Sequence, residues 1–151
     1  MPTRVEIRPA TRRDLRRILD IEASSFGRDA WDRPIFESAL AESQGLFVVA
    51  RLAGRVAGYS ITYVERGAGE LVSIAVHPLY RRKRVGEALM LFTKGELTRR
   101  GVTEWRLMVR IDNEKAIGFY RRFGFVRTRT VRAYYERDVD GWRMELRNLR
   151  S

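Results

Sequence analysis

The sequence predicts an α+β or mixed-sheet domain. Strand-like apolar runs recur between segments whose apolar residues follow helical spacing, and the resulting order is β-α-α-β-β-β-α-β-α-β-β. A chain of 151 residues fits one hydrophobic core. Because no repeat, low-complexity segment or linker interrupts it, residues 1–151 are expected to form a single domain.

The first part of the chain predicts one strand and two helices. Residues 5–10 alternate like a strand. Thr11, followed three residues later by Asp14, resembles a helix N-cap with an acidic first turn, and helical spacing then continues to about residue 26. A second short helix is expected to start near Asp32–Pro34.

Residues 45–78 predict three strands. They read as strand, tight turn at Ala53-Gly54, strand, loop at Gly67–Gly69 and strand. The last of these, Leu71–Val76, is almost continuously apolar, as expected of a strand buried on both faces.

The second half predicts two helices and three strands. Apolar residues at i, i+3, i+4 and i+7 indicate the first helix, and an Asn cap and a Gly stop bound the second. The predicted bounds are a helix from Arg84 to about Arg100, a strand over 105–111, a helix between Asn113 and Gly124, and strands over 125–135 and 141–148.

Composition argues against several kinds of site. With no cysteine there is no disulfide framework, thiolate nucleophile or cysteine metal site, and a single histidine, His77, argues against a histidine metal site or a Ser-His pair. We therefore expect no metal and a structural role for His77. No stretch approaches the roughly 20 apolar residues of a membrane span, and the charged N-terminal segment does not resemble a secretory signal, so the expected location is cytoplasmic.

The chain is strongly basic, with a net charge of +11 and 27 arginines against three lysines. Such a charge can attract nucleic acid, acidic protein surfaces or phosphorylated ligands. The arginines are scattered from Arg4 to Arg150, which favours a general compositional bias over a dedicated nucleic-acid surface. A basic nucleic-acid- or ribosome-binding module remains the alternative of another class.

Four consecutive cations stand between a buried strand and a predicted helix. A helix N-terminus offers unpaired N–H groups and partial positive charge, which favour phosphate, and Gly86 lets a ligand approach the first turn closely. A pyrophosphate would be cradled by these amides and clamped by the cations; the alternative is a solvated basic turn. The cations are Arg81, Arg82, Lys83 and Arg84.

Two motifs in register resemble the GNAT superfamily of acetyl-CoA-dependent N-acetyltransferases. R/Q-x-x-G-x-G/A falls on Arg81 to Gly86, and N-x-x-A-x-x-x-Y-x-x-x-G-F falls on Asn113 to Phe125. The resemblance covers nearly the whole chain and is greatest to protein N-terminal acetyltransferases of the RimI and archaeal Ard1 type, whose paired tyrosines match Tyr134-Tyr135. It implies the GNAT fold, a mixed and mostly antiparallel sheet flanked by helices. One position departs from the motif, because its first glycine is Arg84 here.

The resemblance also implies a cofactor site for acetyl-CoA. The backbone of residues 74–76 would pair with the pantetheine arm as if with an added strand, the loop before the helix would enclose the pyrophosphate, and Asn113 would contact or orient the cofactor. Tyr120 would protonate the leaving thiolate, although an ordinary core aromatic is the alternative. The implied cofactor-binding residues are Ile74, Ala75, Val76, Arg81, Arg82, Lys83, Arg84, Val85, Gly86, Glu87, Asn113 and Tyr120.

The attacking amine must be neutral, so a general base is expected. RimI-type enzymes carry an acid or imidazole at the position of Met108, and methionine cannot take a proton. Other relatives place a base at the position of Glu70, which is therefore the expected base, acting through water; a solvated loop carboxylate is the alternative. An α-amine, with a pKa of about 8, demands less of this base than lysine near 10.4, which favours an N-terminal substrate.

Acceptor recognition is expected from two aromatic segments, Phe26 to Trp31 and the pair Tyr134 and Tyr135, whose rings could line a peptide slot. Packing within the hairpin is the alternative for the tyrosines. The expected partner is a protein or peptide N-terminus, and proximity to the ribosome or a ribosomal protein is left open. Acetylation of a protein lysine or a small-molecule amine remains the alternative within the same chemistry.

Overall fold

The computed structural model describes residues 4–149, and its helices and strands follow the predicted order. They are β1 (Val5–Pro9), α1 (Leu15–Phe26), α2 (Arg33–Glu42), β2 (Phe47–Leu52), β3 (Arg55–Glu65), β4 (Ala68–Val76), α3 (Val85–Arg99), β5 (Glu104–Arg110), α4 (Glu114–Phe123), β6 (Val126–Tyr135) and β7 (Val139–Arg147). Short 3₁₀ turns lie before α1, after α1, after β4 and after β6.

The strands are hydrogen-bonded in the order β1-β2-β3-β4-β5-β7-β6. The β4–β5 pair is parallel, whereas the β1–β2, β2–β3, β5–β7 and β6–β7 pairs are antiparallel. This confirms the predicted α+β class with a mixed, mostly antiparallel sheet flanked by helices.

The chain divides into two compact units. The first contains the described residues up to Tyr63 together with Ser73–Glu96, and the second contains Val64–Val72 together with the described residues from Leu97 onward. A single domain over residues 1–151 stays a prediction.

In the first unit, β2 is buried on both faces. One face carries Phe47, whose ring lies 6.1 Å from that of Phe36 in α2. The other face carries Val48 and Ala50, which belong to an apolar cluster with Val85 and other residues of β3 and α3. Burying apolar side chains on both sides of a strand fits its almost unbroken apolar sequence.

A glycine in β3 permits close packing at the start of α3. A Cβ on Gly58 would lie 2.8 Å from the carbonyl oxygen of Ala75 and 3.1 Å from Cγ1 of Val85. A real Cβ essentially never tolerates the first of these distances, so only glycine fits without movement of the neighbouring backbone. The position of α3 against β3 and the end of β4 therefore depends on this residue.

The turn before β4 is tighter than predicted. Arg66 and Gly67 have φ of 53° and 80°, matching the predicted turn at Ala53-Gly54, where φ is 53° and 79°. Two consecutive positive φ values are typical of the two-residue turns that join neighbouring strands. The predicted loop at Gly67–Gly69 is therefore wrong in extent, since β4 already begins at Ala68.

The expectation that Leu71–Val76 is buried on both faces is also wrong. Within it only Leu71 and Ala75 are buried, and the other four residues are partly exposed. The registered pairs between β4 and β5 end at Leu71, opposite Leu107, although β4 continues to Val76. Side chains beyond that point therefore lie on a strand that is no longer paired with β5.

In the second unit, local signals fix both ends of α4. The Asn113 side chain accepts a hydrogen bond from the Ala116 N–H at 3.2 Å, and Gly124 ends the helix with φ of 119°. Both predicted signals are confirmed. The N–H groups of Gly124 and Phe125 donate to the Tyr120 carbonyl at 3.1 and 3.0 Å, which anchors the last turn of the helix.

The last strand starts earlier than predicted, at Val139 rather than Gly141, because Glu136–Asp138 form a short 3₁₀ turn instead of a longer loop. The core of this unit surrounds Trp105, which is fully buried and lies 5.4 Å from the Phe125 ring. Trp105 lies on β5 and Phe125 directly precedes β6, so this contact packs the start of the β6–β7 hairpin against β5.

Candidate functional site

The end of β4 in the first unit leaves one strand edge without a partner from β5. Ile74, Ala75 and Val76 follow the last registered β4–β5 pair, while the His77 N–H donates to the Ala57 carbonyl of β3 at 2.7 Å. A strand bonded on one side only can accept an extended ligand on the other. This is the segment that the sequence predicted to hold a pantetheine arm.

The cationic loop, residues 81–84, follows this strand and leads into α3. All four of its side chains are exposed. Within residues 4–149 none of them pairs with a carboxylate. An exposed cation without an internal partner is available to a ligand phosphate. The structure thus brings together the predicted strand, the cations and the start of a helix.

The backbone of the cationic loop takes conformations that favour glycine. Arg82 and Arg84 have φ of 64° and 62°. For a residue with a Cβ this left-handed conformation costs about 1–2 kcal/mol. The motif has a glycine at the position of Arg84, and Arg84 adopts a backbone conformation that glycine favours. Its side chain is exposed to solvent.

The first turn of α3 supplies free amide groups. Ala88 N–H donates to the Arg84 carbonyl at 3.0 Å, which makes Arg84 the N-cap residue before the first helical residue, Val85. The N–H groups of Val85, Gly86 and Glu87 have no carbonyl one turn earlier within the helix. Val85 is buried against the core, Gly86 is half-buried and Glu87 is exposed. Amides, partial positive charge and cations at one helix start together form an arrangement suited to phosphate.

His77 stabilises the turn after β4, as expected from the sequence. Its Nδ1 accepts a hydrogen bond from the Leu79 N–H at 3.1 Å, and its ring lies 5.6 Å from that of Tyr80. Burial, followed by the nearby guanidiniums of Arg17 and Arg81, lowers the pKa of the imidazole. A neutral imidazole with an acceptor nitrogen is the form this hydrogen bond requires.

In the second unit, Glu70 is held by two arginines. It lies within β4, half-exposed, and its Oε1 is 3.3 Å from Nε of Arg106 and 3.3 Å from Nη1 of Arg143. The other carboxylate oxygen has no hydrogen-bond partner in the described part of the chain. One oxygen is therefore fixed while the second remains available. Met108 lies on β5, half-buried, and its thioether offers no proton acceptor.

Tyr120 lies in the last turn of α4, half-buried among aromatic rings. Its ring centroid is 5.6 Å from that of Phe119 and 5.9 Å from that of Phe125. Burial, and after it the neighbouring Tyr135, raises the pKa of the Tyr120 phenol above its usual value of 10. This phenol stays protonated at neutral pH and can donate a hydrogen bond.

The paired tyrosines form a tight group at the end of β6. Tyr134 is 53% exposed and Tyr135 is half-buried, with their rings 4.9 Å apart. The Arg110 guanidinium lies 5.6 Å from the Tyr135 ring, and a Cβ on Gly141 would lie 3.1 Å from that ring. Burial, with Tyr134 next in effect, raises the pKa of Tyr135 to about 12. Tyr134 is thus the tyrosine with free surface for a ligand.

The other predicted acceptor segment belongs to the first unit. Phe26 is the last residue of α1 and is 39% exposed, whereas Trp31 is half-buried against Phe36 at 5.9 Å between ring centroids. The Trp31 N–H donates to Oε2 of Glu22 at 2.9 Å. Sequence analysis missed Glu22, which is only 2% exposed. A signal existed, because Glu22 occupies the apolar stripe of α1, one turn after the buried Ile18.

Two further observations concern metals and membranes. Residues 4–149 contain no group of three or more His, Cys, Asp or Glu side chains placed to hold a metal ion. No helix in that range is long and apolar enough to cross a bilayer.

Comparisons of the sequence and of the structure with known proteins identify the same family. The profile described as "Acetyltransferase (GNAT) family" matches residues 12–125. N-alpha-acetyltransferase RimI of Mycobacterium tuberculosis is 35% identical over 136 residues, 87% of this chain and 84% of that protein. The [ribosomal protein bS18]-alanine N-acetyltransferase of Escherichia coli K12 is 35% identical over 111 residues, 74% of each chain. The crystal structure of Ard1 from Thermoplasma volcanium superimposes with a TM-score of 0.89 at 26% identity, covering 95% of this chain and 97% of that one.

Proposed function

The chain belongs to the GNAT family of acetyltransferases, and from that premise we propose that it acetylates the N-terminal α-amine of a protein. Its acetyl donor is acetyl-CoA, as in the family. The observation that carries the proposal is the β4 edge, unpaired with β5 after Leu71 and followed, after His77 and a short 3₁₀ turn, by exposed cations at the start of α3. These features fit the extended pantetheine arm and the pyrophosphate of that donor.

Each part of the donor would have its own residues. The backbone of Ile74–Val76 would hold the pantetheine arm, and the cationic loop with the first amides of α3 would hold the pyrophosphate. Asn113 would orient the donor from the start of α4. The exposed cations of the loop would supply charge for this purpose, so affinity for the donor should depend on ionic strength.

Tyr120 would act as the acid. Acetyl-CoA supplies an acetyl group activated as a thioester, which a neutral amine can attack. As the C–S bond breaks, the protonated phenol of Tyr120 would donate to the departing sulfur. A thiol has a pKa near 8.5, below that of this phenol, so the main effect is a hydrogen bond to developing negative charge rather than early proton transfer.

Glu70 would act as the base through a water molecule. The ammonium of the acceptor must lose a proton before attack, and the unpartnered oxygen of Glu70 can accept it from a bridging water. About a tenth of an α-amine with a pKa near 8 is already neutral at pH 7. A carboxylate whose other oxygen is bound by two arginines can meet that modest demand. The amine would attack the thioester directly, and the chain has no cysteine that could carry the acetyl group as a thioester.

The acceptor would be the N-terminus of a ribosomal protein in the cytoplasm. Two relatives carry names that specify N-alpha-acetylation or the alanine terminus of ribosomal protein bS18. In the first unit Phe26 and Trp31 would contact the peptide. In the second unit Tyr134 and Tyr135 would do so, with the exposed Tyr134 hydroxyl bonding its backbone.

The test is release of CoA thiol from acetyl-CoA, followed with a thiol reagent. The protein contributes no thiol of its own, so the signal comes only from product. Three peptides are compared: free N-terminus without lysine, blocked N-terminus with lysine, and blocked N-terminus without lysine. Release only with the first is the expected result. Release only with the second would assign the activity to lysine, and silence from all three would point to a small-molecule amine or overturn the proposal.

A further inference from the structure

A buried carboxylate in the first unit lies outside the proposed chemistry. Glu22 on α1 is 2% exposed, and in the described part of the chain no arginine or lysine pairs with it. Its Oε2 accepts from the Trp31 N–H at 2.9 Å, and its Oε1 accepts from the Tyr59 hydroxyl. Burying a charge without a counter-ion is costly unless hydrogen bonds replace its water. Both carboxylate oxygens are engaged here.

The number of protons available shows which atom donates in the hydrogen bond between Tyr59 and Ser73. Tyr59 is fully buried, and burial followed by its bond to Glu22 raises the pKa of the phenol well above 10. Its single proton therefore lies on the bond to Glu22. Ser73 Oγ, 3.0 Å from the Tyr59 oxygen, must be the donor of that contact. The chain of bonds thus runs from Ser73 through Tyr59 to Glu22, which also accepts from the Trp31 backbone.

This chain connects two segments that the proposed function uses. Trp31 ends the acceptor segment that begins at Phe26, and Ser73 directly precedes the donor strand Ile74–Val76. Tyr59 lies between them on β3, with its ring 5.6 Å from that of Phe36. One buried carboxylate therefore joins the backbone of the acceptor segment to the side chain next to the donor strand.

We propose that Glu22 is a positioning residue that fixes the acceptor segment, Phe26 to Trp31, for binding of the peptide. The inference rests on the proposed function, because it takes this segment to contact the acceptor. An apolar side chain at position 22 would leave the Trp31 N–H unsatisfied and would remove the link from Trp31 to Tyr59. Among the described residues no hydrogen bond joins Glu22 to the cationic loop or to α3, so we expect substitutions of Glu22 to affect acceptor binding more than donor binding.

Glutamine and alanine at this position separate hydrogen bonding from charge. In Glu22→Gln the amide oxygen can accept from the Trp31 N–H while its NH₂ donates to the Tyr59 oxygen, and the Tyr59 proton turns to Ser73. The Trp31 N–H and the Tyr59 hydroxyl each keep a hydrogen-bond partner in that arrangement. Glu22→Ala leaves the Trp31 N–H without an acceptor and breaks the link between Trp31 and Tyr59, whose proton can turn only to Ser73. Asp14→Ala is the matched control, because Asp14 is also a buried carboxylate of the first unit but bonds Arg8 and Thr11 instead.

The experiment measures steady-state kinetics with a free-N-terminus peptide, together with hydrogen exchange of the Trp31 amide. In Glu22→Ala we expect KM for the peptide to rise at least about tenfold and the amide to lose protection, while kcat and KM for acetyl-CoA stay within about twofold. Glu22→Gln should remain within about twofold of the wild type in all of these values. Asp14→Ala should lower the melting temperature without changing KM for the peptide.

The outcomes separate this inference from the proposed function. If the wild type does not acetylate the free-N-terminus peptide, the proposed function fails, and the exchange of the Trp31 amide still tests whether Glu22 fixes the segment. If the wild type is active but KM for the peptide is unchanged in Glu22→Ala, the positioning role is refuted. If kcat falls strongly in both Glu22→Gln and Glu22→Ala, Glu22 handles a proton and does not merely position the segment.

Discussion

The cationic loop of the first unit and the two proposed proton-handling residues of the second, Glu70 and Tyr120, are built in opposite ways. The loop side chains are exposed and, within residues 4–149, pair with no carboxylate, whereas Glu70 and Tyr120 are half-buried and each contacts identified neighbours. A side chain proposed to bind a charged ligand can be solvent-exposed in the free protein. A side chain proposed to handle a proton must already be oriented before the reaction starts. Substitutions in the loop should therefore change donor affinity, and substitutions of Glu70 or Tyr120 should change rate.

The largest expected effect tests the second half of this comparison. Tyr120→Phe keeps the aromatic packing against Phe119 and Phe125 but removes the donor to the departing sulfur. We expect kcat to fall about 100-fold, because positioned acids contribute rate factors of that order. The measurement is thiol release at saturating peptide, with the Kd of acetyl-CoA determined separately.

Tyr63→Phe is the matched control for Tyr120→Phe. Tyr63 is also half-buried with a raised phenol pKa, due first to burial and then to Glu42, but it has no proposed role. Its kcat should equal that of the wild type. A Tyr120→Phe variant with unchanged kcat and weakened acetyl-CoA binding would reverse the roles assigned to the two regions.

A smaller effect is expected from Glu70→Gln. The amide keeps an oxygen near Arg106 and Arg143 but no longer takes a proton. We expect kcat/KM at pH 7 to fall about tenfold and to recover above about pH 8, where the α-amine is neutral without help. The pH–rate profile thus moves to higher pH. A glutamine variant whose profile overlays that of the wild type would remove Glu70 from the mechanism.

The cationic loop gives the next effect in order of size. Arg84→Gly removes one cation and relieves the positive φ of 62°. We expect the Kd of acetyl-CoA to rise about threefold, since an exposed ion pair contributes up to about 1 kcal/mol. Arg66→Gly is the matched control, because Arg66 has φ of 53° in an exposed turn outside the loop. It should repeat any change in stability and leave the Kd unaltered, as measured by calorimetric titration.

The sequence predicted features that depend on neighbouring residues better than features that depend on distant ones. Asn113 and Gly124 predict the two ends of α4, one through its side chain and the other through its backbone, and the structure confirms both. The burial of Leu71–Val76 was misjudged because it depends on how far β5 runs beside β4, which no residue of that strand encodes.

The missed residue of the first unit shows the same limit. Glu22 and its partner Tyr59 are 37 residues apart, so only the folded chain reveals why a carboxylate lies on the apolar stripe of α1. Glu70 is an intermediate case. The family resemblance singles out Glu70 as the expected base. Its ion pairs with Arg106 and Arg143, however, depend on the register of strands that are distant in sequence.

The smallest expected effect concerns stability. It tests whether Asp14, a buried carboxylate of the first unit, stabilises the fold, whereas the loop is proposed to bind the donor. Asp14 accepts from Arg8 at 2.8 and 2.9 Å and from the Thr11 N–H at 2.8 Å. Burial alone would raise the pKa of this carboxyl, but the bonds from Arg8 and Thr11 outweigh burial and lower it below 3.8. Such a group stabilises the fold above pH 3.8 and loses its contribution as the pH falls through the lower folded value.

Asp14→Asn should therefore lower the free energy of unfolding by about 1 kcal/mol at pH 7, as for loss of a helix cap. Denaturant unfolding at a series of pH values should show this difference shrinking as the solution is acidified below pH 3.8, where the wild-type carboxyl also becomes neutral. Asp112→Asn is the control, because Asp112 binds Arg110 at 3.0 and 3.1 Å but is exposed, so its loss should leave stability unchanged. If Asp14→Asn and Asp112→Asn lower the free energy of unfolding equally, burial does not determine how much an arginine-bound carboxylate contributes to stability.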